Sequence, residues 1–187
     1  MSTITPGQFV SGIIGQQYGP DAVFPPFYLT GATLTANGAS FPTLTFPGYA
    51  SLMIMLHIVG YSGSDLGSLR FNADSGANYW DRNLSSVAGG VVIVNNENAS
   101  TTQMRFGIAG TSKVVALINV INIAGQSKLA RGSVAMGTGA AATPGTAIVS
   151  MAGEWINTTA QITSLNVQVV GANNFLSGSS VSVFGGL

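Results

Sequence analysis

The chain contains no cysteine. Disulfides, thiol chemistry and cysteine-ligated zinc are excluded at once. Histidine is almost as scarce, with His57 standing alone. Charge is scarce too: six Lys+Arg and six Asp+Glu make up 6% of 187 residues, against ~25% in an ordinary soluble domain. The formal net charge is zero. With no basic footprint, neither a nucleic-acid surface nor a polybasic membrane patch is predicted. The longest apolar runs, Leu52–Val59 and Val114–Ala124, fall short of the ~18 residues of a spanning helix, and the second carries Asn119 and Asn122. The N-terminal residues lack the basic start and apolar core of a secretory signal, so synthesis in the cytosol is expected.

What is present is 46% hydrophobic residues among Ser, Thr, Asn and Gly. That balance predicts a globular chain rather than a disordered one, long enough for one well-buried core. A surface this poor in charge, at zero net charge, risks self-association. It predicts that neighbouring chains cover much of the surface in an oligomer or larger assembly. Asn83-Leu-Ser85, Asn98-Ala-Ser100 and Asn157-Thr-Thr159 have the form of glycosylation sequons. Without a secretory route they read as polar turns.

Residues 1–27 differ from the rest. Pro6, Pro20, Pro25 and Pro26 alternate with Gly7, Gly12, Gly15 and Gly19, a spacing that neither a long helix nor a central strand tolerates. Phe9, Val10, Ile13, Ile14, Tyr18 and Phe24 are nonetheless apolar enough to need a surface. The segment reads as an extended docking arm.

From residue 28 to residue 187 the period is two. Met104 and Phe106 alternate with Gln103 and Arg105; Leu165, Val167 and Val169 alternate with Ser164, Asn166 and Gln168; Val181 and Val183 close the chain. The run Leu52–Val59 is apolar but for His57, which predicts a strand buried on both faces. Clusters such as Asn95-Asn96, Gly137–Gly139 and Gly171–Asn174 read as turns. No amphipathic helix is visible. Eight to ten short strands predict an all-β domain: an antiparallel β-sandwich, jelly-roll-like, behind the N-terminal arm.

One stretch concentrates what little charge there is. SLRFNADSGANYWDRNLS, with its approach, holds Asp65, Arg70, Asp74, Asp81 and Arg82 together with Tyr79 and Trp80. A catalytic pair of acids is the weakest reading, because nothing else in the chain backs it as a hydrolase cleft would. His57 lies inside an apolar run, which suits a core or interface residue better than a triad. A calcium loop starting at Asn72 fails, since glycine falls one position early at Gly76 and the closing position holds Asn83. Catalytic residues, a metal site and a cofactor are therefore not expected. Two readings remain. In one, Tyr79 and Trp80 stack on a sugar while Asp74, Asn78 and Arg82 bond its hydroxyls. In the other, Arg70, Asn72, Asp74, Asn78, Tyr79, Trp80 and Arg82 build a structural corner, with arginine and acid satisfying each other. The corner is the reading adopted.

This stretch resembles the LRFNGDTGANY segment common in virion surface proteins of tailed bacteriophages, with Ala73 where glycine is frequent. The ending GEWINTTAQITSLNVQVVGANNFLSGSSVSVFGGL is similar to the ending of the same family, through Gly153, Trp155, Ile162–Ser164, Asn174-Phe175 and Phe184-Gly185. The resemblance implies a β-sandwich module, generally trimeric, of the kind found in capsid decoration (cement) proteins, head fibres and tail tips. From it we expect a non-enzymatic homotrimer on the virion capsid, docked on the major capsid protein by residues 1–27. The alternative is a receptor- or glycan-binding fibre tip facing host-surface glycans.

Overall fold

The computed structural model describes residues 26–87, 90–110, 112–137 and 146–186. The expected arm anchors Phe9, Val10, Ile13, Ile14, Tyr18 and Phe24 lie outside the described residues. Among the described residues there are strands and no helix. In chain order they are β1 (Phe27–Thr33), β2 (Leu44–Thr45), β3 (Ser51–Ile58), β4 (Asp65–Phe71), β5 (Tyr79–Val87), β6 (Gly90–Thr101), β7 (Met104–Gly110), β8 (Lys113–Ile121), β9 (Lys128–Gly137), β10 (Thr146–Trp155), β11 (Ser164–Val169) and β12 (Ser180–Gly186).

They form two antiparallel sheets. One runs β1-β12-β3-β8-β9-β10-β5-β6 and the other β2-β11-β4-β7. The pairs β1·β12, β2·β11, β3·β8 and β4·β7 are nested, as if one long hairpin had been wrapped into two layers. That is the jelly roll. Two insertions enlarge it: β5–β6 between β4 and β7, and β9–β10 between β8 and β11. They meet where β5 pairs with β10, and so extend one sheet to eight strands.

Alternation builds the core. In β8, Val114, Ala116, Ile118 and Val120 point inward and every second residue outward. In the smaller sheet Leu69, Phe71, Phe106, Leu165 and Val167 face them, all nearly solvent-free. Each such side chain contributes about 1.5–3 kcal/mol by leaving water. Strand β7 covers the inserted strands, lying against β5, β9 and β10. Its approach to β10 requires a glycine: a Cβ on Gly153 would lie 2.6 Å from Met104 Sδ.

Several expectations are corrected. The apolar run in β3 is buried on one face only: Leu52, Ile54, Leu56 and Ile58 turn in, whereas Met55 and His57 are exposed. His57 is thus not a core residue of this chain. Asn95-Asn96 is no turn but part of the twelve-residue strand β6. Of the three sequons only Asn157 sits in a turn, where its Oδ1 accepts hydrogen bonds from Thr159 N and Ala160 N. Asn83 and Asn98 lie within strands β5 and β6.

Candidate functional site

The charged stretch crosses from one sheet to the other. β4 ends at Phe71, and Asn72 and Ala73 follow with φ of 51° and 56°. Asp74 N donates to Phe71 O at 2.9 Å, closing a turn with two left-handed residues. Asparagine tolerates this backbone because its short polar side chain bonds locally; alanine has no such compensation.

Asn72 also ties the turn to the start of β11. Its Oδ1 accepts from Thr163 N at 2.9 Å and Ser164 N at 3.0 Å, and its Nδ2 donates to Gln161 O at 2.7 Å. The Asp74 carboxylate accepts from Trp155 Nε1 (2.7 Å), Asn78 Nδ2 (3.0 Å) and Gly76 N (2.8 Å). Partial burial pushes that carboxyl up, but the bonds from Trp155, Asn78 and Gly76, with the charge of Arg70, outweigh it and hold it below the usual carboxylate range. The Tyr79 hydroxyl accepts from Phe71 N at 2.8 Å and donates toward Phe71 O and Asp74 O. Its ring stacks on Trp155, with centroids 6.3 Å apart.

The seven residues singled out from sequence separate into two groups. Arg70, Asn72, Asp74, Asn78 and Tyr79 lie at the corner. Trp80 and Arg82 lie on the outward face of the eight-stranded sheet, because neighbours along a strand point to opposite faces. Tyr79 is fully buried. Tyr79 and Trp80 therefore cannot stack together on a sugar. The expected arginine–acid pairing at the corner is also absent: Arg70 Nε donates to Thr102 O at 3.3 Å, while Arg82 pairs across to Glu97 at 3.3 Å on the surface.

Asp65 serves the opposite end of β4. It accepts from Gly171 N and Asn173 N and so anchors the Gly171–Asn174 turn. Asp81 faces the interior, where it accepts from Asn98 Nδ2 at 2.9 Å and Arg105 N at 3.1 Å. Burial there pushes its carboxyl up against the bonds from Asn98 and Arg105 N and the Arg105 charge. Lys128 is buried as well, its amine donating to Gln126 O and Asn157 O, and desolvation lowers its pKa. Among the described residues no group of three or more His, Asp or Glu is placed to hold a metal ion.

Sequence reasoning missed two partners. Trp155 reaches the corner from the end of β10, while Asn122, just past the end of β8, ties the segment before β3 to the segment before β11. Asn122 Oδ1 accepts from Ile162 N at 2.6 Å, and its Nδ2 donates to Tyr49 O. A polar residue at the inward position just past apolar β8 was the available signal for Asn122. Trp155 was marked only as one of the residues that carry the family likeness, with nothing to place it against Asp74.

No known protein family, curated protein or solved structure matches the chain.

Proposed function

We propose that this chain is a non-enzymatic structural protein of a tailed-bacteriophage virion. In this reading it is a capsid decoration protein that binds the major capsid protein as a homotrimer and holds capsid subunits together. One observation carries it. The two segments that resemble phage surface proteins, far apart in the chain, bond to each other at one corner through Asp74–Trp155 and through Asn72 to Thr163 and Ser164. Residues that carry a family likeness and also meet in space are those a shared domain type would keep together.

The acids at this corner serve the fold. Asp74 bonds a turn and a buried indole; Asp81 bonds main chain and amides inside the sandwich. A jelly roll that works by covering neighbouring chains needs surface area rather than a cleft.

The test is imaging of intact particles, with co-sedimentation of purified protein on heads that lack it. Density on the capsid surface and saturable binding are expected. Location on the tail would overturn the assignment to the head. Cleavage of cell-wall or capsular glycan, abolished by Asp74→Asn or Asp81→Asn, would overturn the non-enzymatic reading.

A glycan-binding fibre tip is the second reading. Trp80 favours it, being half-buried beside the Arg82–Glu97 pair and donating from Nε1 to Glu97 at 3.4 Å. Binding on a glycan array that is lost in Trp80→Ala would select it.

A further inference from the structure

We propose that the outward face of the eight-stranded sheet, centred on β8 and β9, is the surface on which a second copy of this chain docks. This shares the self-association of the preceding reading, but a contact of one face with its own copy is two-fold, so it rests neither on the trimer nor on the virion.

An antiparallel sheet with one face in water normally shows apolar residues inward and polar residues outward. Here the outward face carries large apolar residues among its polar ones. Met55, Val115, Leu117, Ile121, Leu129 and Ile148 are 42–63% exposed. They belong to four adjacent strands, and their register makes them neighbours. Met55 pairs with Leu117 and Ile121 with Leu129, while Ala135 lies between Val115 and Ile148. Directly paired residues share a face with Cβ atoms ~5 Å apart, so Met55, Val115, Leu117, Ala135 and Ile148 form one contiguous patch, and Ile121 with Leu129 a smaller one beyond Asn119 and Arg131. Scattered exposed apolar residues need no explanation; a contiguous patch does.

The size fits a chain-to-chain contact. At ~4.8 Å between strands and ~3.3 Å per residue, four strands of eight residues present about 500 Å². Including β12 and β5 on either side brings the face to about 800 Å², which is what each partner of a standard protein interface buries.

The charge fits a copy of the same chain. At the centre of the face the one cation is Arg131, whose register neighbours are Asn119 and Ala152. Glu154 stands on the next strand, opposite Leu129, and no ion pair joins it to Arg131. A second copy brings to each the opposite charge, along with the same exposed Val, Leu, Ile and Met side chains. A nucleic acid or an anionic lipid surface would need a basic stripe, which this face lacks.

The experiment measures the mass of the full chain by light scattering at micromolar concentration, for the native sequence and for Leu117→Asp combined with Ile148→Asp. Circular dichroism and thermal unfolding check the fold, and Ala172→Asp, on an exposed turn, is the control. We expect an oligomer, dissociated to folded monomer by the paired substitution with at least a hundredfold weaker association, and unchanged by the control. Because the chain has no cysteine, Leu117→Cys provides a second measurement should the aspartates prevent folding. A short bis-maleimide should link two copies through Leu117→Cys and not through Ala172→Cys. If the native chain assembles and the paired variant assembles equally, this face is not the contact, although the oligomer stands. If the native chain is a monomer, the oligomer and this inference fall together. If that monomer gains dye-binding apolar surface when residues 1–25 are removed, the occupant is the chain's own arm and the inference is overturned.

Discussion

The carboxylate of Asp74 accepts a 2.7 Å hydrogen bond from the indole of Trp155, 81 residues further along the chain. Trp155 ends β10, pairs with Tyr79 in the sheet register and stacks on its ring. One bond therefore closes the turn after β4, the start of β5 and the end of β10 together. Trp155→Phe keeps the ring stack and removes the donor. A loss of about 1.5–3 kcal/mol in urea unfolding is expected, as for a hydrogen bond to a charged group. Asp74→Asn should be non-additive with it in a double-mutant cycle. Additive losses would mean that the two side chains act independently.

Two aspartates pull the pH dependence in opposite directions. The Asp74 carboxyl sits below its ordinary value, so its stabilisation is present above the unfolded pKa of ~3.9 and is lost as pH falls through the lower folded value. The deficit of Asp74→Asn relative to the native chain should therefore shrink below about pH 4. The Asp81 carboxyl is raised, so the native chain loses stability as pH rises from ~3.9 through the folded value. The deficit of Asp81→Asn should shrink in the other direction, as pH increases above about 4. Unfolding titrations of both variants between about pH 3 and about pH 7 read out the two signs. Parallel curves would contradict them.

Ala73 occupies a left-handed backbone position, φ 56°, with its side chain exposed. Glycine removes the clash of Cβ with the following carbonyl, while making the unfolded chain more flexible. Ala73→Gly should raise stability by about 0.5–1 kcal/mol net. A destabilised variant would mean that the methyl group makes a contact outweighing the strain.

Residues 1–24 are expected to attach the domain and not to fold it, since the nested strand pairs begin at Phe27. A chain lacking them should unfold at an unchanged temperature and keep its assembly, yet fail to co-sediment with particles. An unfolded truncation would make the segment part of the sandwich. Undiminished particle binding would move docking to the sandwich itself.

Much of the fold could be read along the chain. Where inward and outward residues differ in polarity, as in β11 with Leu165, Val167 and Val169 against Ser164, Asn166 and Gln168, alternation alone assigns the faces, because side chains repeat every two residues. A corner in the charged stretch, and the absence of helix among the described residues, were equally local. β3 was misread because Met53 and Met55 are as apolar as the inward residues, and His57 alone interrupts the run. One-dimensional hydrophobicity cannot tell a face covered by the same chain from one left open. Similarly, Asn95 and Asn96 have turn chemistry but pair with Leu84 and Asn83 in the sheet, where cross-strand bonds override local preference.

Composition and periodicity were enough for the class of the molecule: an all-β domain almost without charge, free of thiols, with a charged corner between Asp65 and Arg82. Those are properties of composition and of a period of two, which the chain carries at every position. How the corner is held, which of its side chains are buried, and which apolar residues stand exposed outside the core follow from the packing of the strands. Trp155 meets Asp74 because β5 and β10, from separate insertions, pair in one sheet. Long-range pairing of this kind is set by which closed arrangement of all the strands buries the most apolar surface, and no short window of residues contains that information.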